Sequence, residues 1–343
     1  MNFNSIIKRA SIALLAVSLY SCNGEEMDTV KTTYDFENVS YSGQTARIQM
    51  LDSLSKTIKA GTLINVTADQ LSSIYENTSG ELFGSSKDLK SKTFPGAVAA
   101  IEEQFDIVEA ISGDEQYVIG GRLYNAEGVE PAQIVEKGLM GSVLYYQAVT
   151  VYLGEEKMDV DNETVEEGKG TAMQHHWDEA FGYFGAPTDF LNESTEGTVW
   201  FWAKYANGRK DVMDFSTPIF NAFIAGRQAI NDKDYEERDR QIAIIKENWE
   251  KVIAATTIHY VNASIADIAA EDMGAFYHHW SEAKAFADAF LYNIDRKIST
   301  EEMDQLATLL GDVPADATTE DLQAVNTLLQ EVFGFTADEV AQF

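Results

Sequence analysis

The string His175-His176-Trp177-Asp178-Glu179-Ala180 returns as His278-His279-Trp280-Ser281-Glu282-Ala283, identical at five of six positions. A chain that repeats itself must build one local structure twice, so this feature constrains the fold more than any other. Two further landmarks recur in the same order upstream. Glu136-Lys137 leads to Tyr145-Tyr146 as Glu250-Lys251 leads to His259-Tyr260, and Phe94-Pro95 and Thr217-Pro218 each open a helical pattern ending in Ala110-Ile111 and Ala229-Ile230. The reading is a duplicated unit spanning about residues 90–200 and 215–300, its copies packed about a pseudo-two-fold axis. The first copy carries an acidic insertion from Gly154 to Gly170.

Apolar residues recur at helical spacing elsewhere, as in Ile48, Leu51, Leu54 and Ile58. A second helix is expected from Val66 to Tyr75, with Thr67 as N-cap, after an extended Tyr34 to Ser42. With five prolines and few alternating β-branched runs, the sequence predicts an all-α fold of packed antiparallel helices. Residues 34–343 form one helical domain, with extensions on both sides of the duplicated unit.

The first 22 residues have the zones of an export signal. Lys8 and Arg9 precede the apolar run Ala10 to Leu19, which is shorter than the ~20 residues a membrane-spanning helix needs. Leu19-Tyr20-Ser21-Cys22 has the form of a lipobox, with Cys22 the lipidation site and residues 23–33 a polar tether. Cys22 is the only cysteine, so the mature chain has no internal disulfide and no thiolate ligand. Removing the signal removes two of 25 Lys+Arg and none of 56 Asp+Glu, leaving 23 − 56 = −33. Such a surface repels nucleic acid and concentrates cations. The expected location is the outer membrane, facing either the cell surface or the periplasm.

Four of the five histidines lie in the repeated string. On a helix at 100° per residue, His176 and Glu179 stand about 60° apart and His175 and Glu179 about 40° apart, with the same relation in the second copy. An imidazole and a carboxylate one turn apart can close on one metal ion, and if the copies face each other two pairs converge. The metal ligands expected are therefore His175, His176, Glu179, His278, His279 and Glu282. Nitrogen and oxygen donors without thiolate favour iron, zinc or manganese over copper(I). The bland account of the same string is a hydrogen-bonded pair beside a core tryptophan. His259 reads as a satisfied core histidine, and Trp200-Phe201-Trp202 with Tyr205 as helix core. Asp159-Val160-Asp161-Asn162-Glu163 is superficially like a calcium loop, but Thr164 stands where glycine is required, which makes it a solvated loop. No phosphate-binding glycine loop, His-Glu-x-x-His pair or serine elbow occurs, so no catalytic residue and no organic cofactor is assigned.

The opening Tyr34-Asp35-Phe36-Glu37-Asn38-Val39-Ser40-Tyr41-Ser42-Gly43-Gln44, with the His-His-Trp-x-Glu-Ala strings, resembles an uncharacterised family of Bacteroidetes lipoproteins of unknown function. That resemblance spans essentially the whole mature chain. Through its duplicated helices and His-x-x-Glu pairs the chain is also similar to the imelysin group, iron-regulated extracytoplasmic proteins. Those carry glycine two positions before the histidine, where this chain has Gln174 and Tyr277. What the resemblance implies is iron binding and a part in metal uptake, with an outer-membrane uptake receptor as partner. Alternatives from other classes are a metal-dependent hydrolase using the same residues and a ligand-binding module that needs no metal.

Overall fold

A computed structural model describes residues 31–343 except 193, 194 and 196; the export signal, Cys22 and most of the tether lie outside the described residues. The described chain is all-α, with thirteen α-helices and a single two-stranded hairpin. In chain order the helices are α1 (Ser42–Ala60), α2 (Ala68–Tyr75), α3 (Val98–Ile111), α4 (Pro131–Leu139), α5 (Glu155–Met158), α6 (Ala172–Phe184) and α7 (Phe201–Gly208). They continue as α8 (Ser216–Asp232), α9 (Tyr235–Ala269), α10 (Met273–Asp288), α11 (Thr300–Leu310), α12 (Thr319–Phe333) and α13 (Ala337–Gln342). The hairpin pairs β1 (Val118–Ile119) with β2 (Arg122–Leu123) in antiparallel register.

Side chains set many of these boundaries. Thr67 caps α2 as the sequence predicts, its hydroxyl accepting from Gln70 N–H while the Gln70 side chain accepts from Thr67 N–H. Thr171 and Gln174 form the same reciprocal pair at the start of α6, and Gly185 ends that helix in the left-handed region at φ 82°. Each box satisfies two of the amide groups a helix start leaves unpaired.

Two long elements organise the core. α9 has 35 residues, roughly 50 Å at 1.5 Å per residue, and packs against α8, α10 and α12. α4 runs without a break into a π-helical stretch, Met140–Tyr152, which packs against α6. α4 itself meets α1, α3 and α10. The three sequence landmarks fall on helices in the same order: Phe94-Pro95 before α3 and Thr217-Pro218 in the first turn of α8, Glu136 in α4 and Glu250 in α9, and the histidine strings in α6 and α10.

Trp177, Trp202, Trp249 and Trp280 are fully buried. Trp177 donates its indole N–H to Phe223 O at 2.9 Å, Trp202 to Met140 O at 2.8 Å and Trp280 to Leu310 O at 2.9 Å. Trp202 meets Tyr145, Trp249 and Phe286, so this aromatic run serves as core as its spacing predicts, with Trp200 and Phe201 half-buried.

The acidic insertion is less solvated than its composition suggests. Met158 and Asn162 are buried. Asn162 donates to Ile230 O at 2.8 Å and accepts from Thr171 Oγ1 at 2.7 Å, which ties the insertion to the end of α8 and the start of α6. Its acidic residues Glu155, Glu156, Asp159, Asp161 and Glu163 do face solvent.

Candidate metal centre

The one position at which the two strings differ explains how each is held. Asp178, wholly buried, accepts from Tyr34 Oη at 2.6 Å, Ser40 N–H at 3.3 Å and Arg227 Nε at 3.0 Å, which pins the extended segment before α1 onto α6 and α8. Ser281 stands in its place on α10 and accepts from the backbone N–H of Glu130 at 3.0 Å, fixing the entry to α4. Each copy is thereby locked to a different element, and the histidines beside them meet different partners.

In the second copy, one ligand atom from each of His278, His279 and Glu282 lies within 4.8 Å of the others. His278 Nδ1–H donates to Glu130 Oε2 at 2.6 Å, and His279 Nδ1–H donates to Asp267 Oδ2 at 2.6 Å. A carboxylate on Nδ1 fixes the tautomer of each ring and leaves Nε2 as the basic nitrogen, the arrangement that orients metal-bound histidines. His278 Nε2 is 3.3 Å from Glu282 Oε2. Tetrahedral ligation with bonds of about 2.0–2.2 Å sets donor atoms roughly 3.4 Å apart, so this pair already has the required separation.

The other oxygen of Glu282 is turned to Lys137, whose ammonium is 3.5 Å from Oε1 and also pairs with Glu136. Lys137 is buried and lies over the Tyr205 ring at 5.4 Å. Burial alone would lower its pKa, but Tyr205, Glu136 and Glu282 together outweigh that and hold the ammonium above its usual range. Tyr260, stacked on His279 at 6.0 Å, has its hydroxyl pushed far up by burial and then by Tyr205 and Glu282. Lys137 thus neutralises two carboxylates, and the second oxygen of Glu282 faces His278 Nε2. A cavity of ≈ 320 Å³, lined by Lys59, Arg122, Glu130, Gln133 and His278 among others, gives access to the His278–Glu130 pair.

The first copy is different. His175 Nε2 is 3.9 Å from Glu179 Oε2, while His176 Nδ1–H donates to Lys157 O at 2.9 Å and its ring lies 6.0 Å from that of Tyr152. Glu179 Oε1 accepts from Gln44 Nε2 at 2.8 Å. Burial lowers the His176 pKa, with the bond to Lys157 O opposing. Among the described residues, no hydrogen bond, ion pair or ring contact joins His175, His176 or Glu179 to the second triad. His259 accords with a core role, its Nδ1 meeting Phe343 O.

Sequence reasoning missed Glu130 and Asp267 as partners of the imidazoles. Glu130 is 148 residues from His278, and no periodicity links them. Lys137 and Tyr260 were visible as landmarks of the repeat but come from opposite copies, and only their packing brings both to Glu282.

The model of a family described as a domain of unknown function (DUF4856) matches residues 99–336, which include both histidine strings. No curated protein and no solved structure matches the chain.

Proposed function

The chain belongs to the DUF4856 family, and we propose that it is an extracytoplasmic lipoprotein that binds a transition metal ion through His278, His279 and Glu282. The observation that carries this reading is the pair of imidazoles each held at Nδ1 by its own carboxylate beside a third donor, Glu282. Two neutral nitrogens and one carboxylate oxygen suit iron, zinc or manganese, and iron is the proposed cargo. Bound there, the metal would be held reversibly for delivery to an uptake receptor in the outer membrane, with the adjoining cavity as its route.

The wider reading is that of a Bacteroidetes lipoprotein anchored through Cys22, with an imelysin-like duplicated architecture. The order of landmarks on α3, α4 and α6 and on α8, α9 and α10 supports the duplication. The first-copy residues His175, His176 and Glu179 lack the carboxylate partners of the second and are the weaker half of the site.

Protein purified without chelator should contain about one metal per chain. Protons should compete with the metal for these donors, because ligation needs them deprotonated. Substituting His279→Ala or Glu282→Gln should weaken binding at least tenfold in calorimetry while helicity by circular dichroism is retained. Unchanged metal affinity in both folded variants would overturn the reading.

A further inference from the structure

The charges packed around the second histidine string constrain the charge of the ion it can hold. His278, His279 and Glu282 all come from α10, and one ligand atom from each lies within 4.8 Å of the others. His278 Nε2 and Glu282 Oε2 are 3.3 Å apart. Two imidazoles and one carboxylate fill at most half of an octahedron, so an ion held there keeps positions for water or another small ligand. A set of two histidines and one carboxylate with open positions is the one that ferrous iron takes in non-haem centres.

Charged partners reach these donors from two other helices. Glu130, the residue before α4, and Asp267 of α9 accept from His278 Nδ1–H and His279 Nδ1–H, each at 2.6 Å. Lys137 of α4 stands 3.5 Å from Glu282 Oε1. Its other partner, Glu136, is also held by Lys59 of α1 at 2.7 Å, and that outer pair adds no net charge. Glu282, Glu130 and Asp267 are three negative charges against the one positive charge of Lys137, which leaves −2 with both imidazoles in the neutral form that ligates. A divalent ion brings this group to zero. A trivalent ion leaves +1 among side chains of which Glu130, Lys137 and Glu282 are buried, and uncompensated charge in such a place is costly. Arg209, further off and bonded to Phe343 O at 3.4 Å, also feels Glu282 and acts in the same direction.

We propose that the centre is built for a divalent ion, taking iron as ferrous and discriminating against ferric iron, with the Lys137 ammonium as the charge that sets the discrimination. The proposal rests on the metal-binding reading above and names the oxidation state of its cargo. Donor type agrees with charge, since two of the three donors are nitrogen and the harder ferric ion favours oxygen.

The test is competition with nitrilotriacetate for the metal-free mature chain, with ferrous iron in the absence of oxygen and ferric iron in air. The chain should take one ferrous ion from the chelator and leave ferric iron with it, a difference of at least tenfold in affinity relative to nitrilotriacetate. Nitric oxide added to the ferrous form should give a high-spin nitrosyl signal in electron paramagnetic resonance, because open positions remain. Lys137→Gln removes the positive charge and should narrow the ferrous preference several-fold. Asp267→Asn keeps an acceptor for His279 Nδ1–H but removes a negative charge, and should widen it. Circular dichroism checks that each variant folds, and the half-buried Asp267 supplies the result if Lys137→Gln does not. Failure of the unmodified chain to bind ferrous, ferric or zinc ions would sink the metal-binding reading itself. Three results would overturn this inference alone: ferric iron held as well as ferrous relative to the chelator, a preference unmoved in the folded variants, or a visible phenolate-to-iron band from Tyr260, whose ring stacks on His279 at 6.0 Å.

Discussion

Glu136 is the carboxylate on which the second site's charge balance turns. Its side chain is 12% exposed, pairs with Lys59 at 2.7 Å and with Lys137, and accepts from Ser55. Burial pushes its carboxyl up, but Lys137 and Lys59 outweigh burial and bring it from 4.5 to about 2. A folded pKa below the unfolded one means stability that is present above about pH 4.5 and lost as pH falls towards 2. A shift of that size corresponds to at most about 3 kcal/mol. Glu136→Gln should therefore lower the urea midpoint at pH 7 and narrow the gap between pH 7 and pH 3, since the variant has already lost what acid removes. A variant whose midpoint still falls as steeply between those two values would place the acid sensitivity elsewhere, for instance in another buried carboxylate.

Helix contacts show the same economy of space at the scale of elements. A Cβ on Gly226 of α8 would fall 2.2 Å from the Trp177 ring on α6, so the glycine is what lets the two helices meet with the indole between them. Gly226→Ala should cost about 1–3 kcal/mol by overpacking. It should also change the fluorescence of a tryptophan that is fully buried and bonded to Phe223 O. Denaturant unfolding followed by fluorescence reads both, and an unchanged midpoint would mean that the indole has somewhere to go. Much at this scale was legible in sequence: the Thr67 cap, the helices α1 and α2, and the core role of Trp202 all follow from local spacing. The π-helical stretch Met140–Tyr152 was not, because a pattern read at 100° per residue has no term for an extra residue in each turn. The docking of Asn162 was also hidden, since one buried amide in an acidic loop leaves no periodic trace. The histidine and glutamate positions of the site were legible because they lie one turn apart. Glu130 and Asp267 were not, because tertiary packing alone brings them to the rings.

The charge of the whole molecule and its one long apolar helix bear on how it would be held at a membrane. α9 is long and apolar enough by composition to cross a bilayer, yet half of its most apolar window is buried, and it is the helix on which α8, α10 and α12 pack. Inserting it into lipid would require dismantling that core, and residues such as Trp249, Ile253 and Ile258, all fully buried, would lose their partners. A net charge of −31 gives no electrostatic attraction to anionic head groups either. If the proposed lipid on Cys22 is the anchor, nothing else in the described fold substitutes for it. Cys22→Ala should therefore move the protein from the membrane pellet to the soluble fraction, even though the export signal is otherwise intact and the helical domain is untouched. A single acyl chain binds only marginally, whereas several chains on one cysteine hold firmly, so the unmodified protein should resist a high-salt wash that strips electrostatically bound proteins. Retention of Cys22→Ala in the washed pellet would mean that a second anchor exists and that the lipoprotein reading is incomplete.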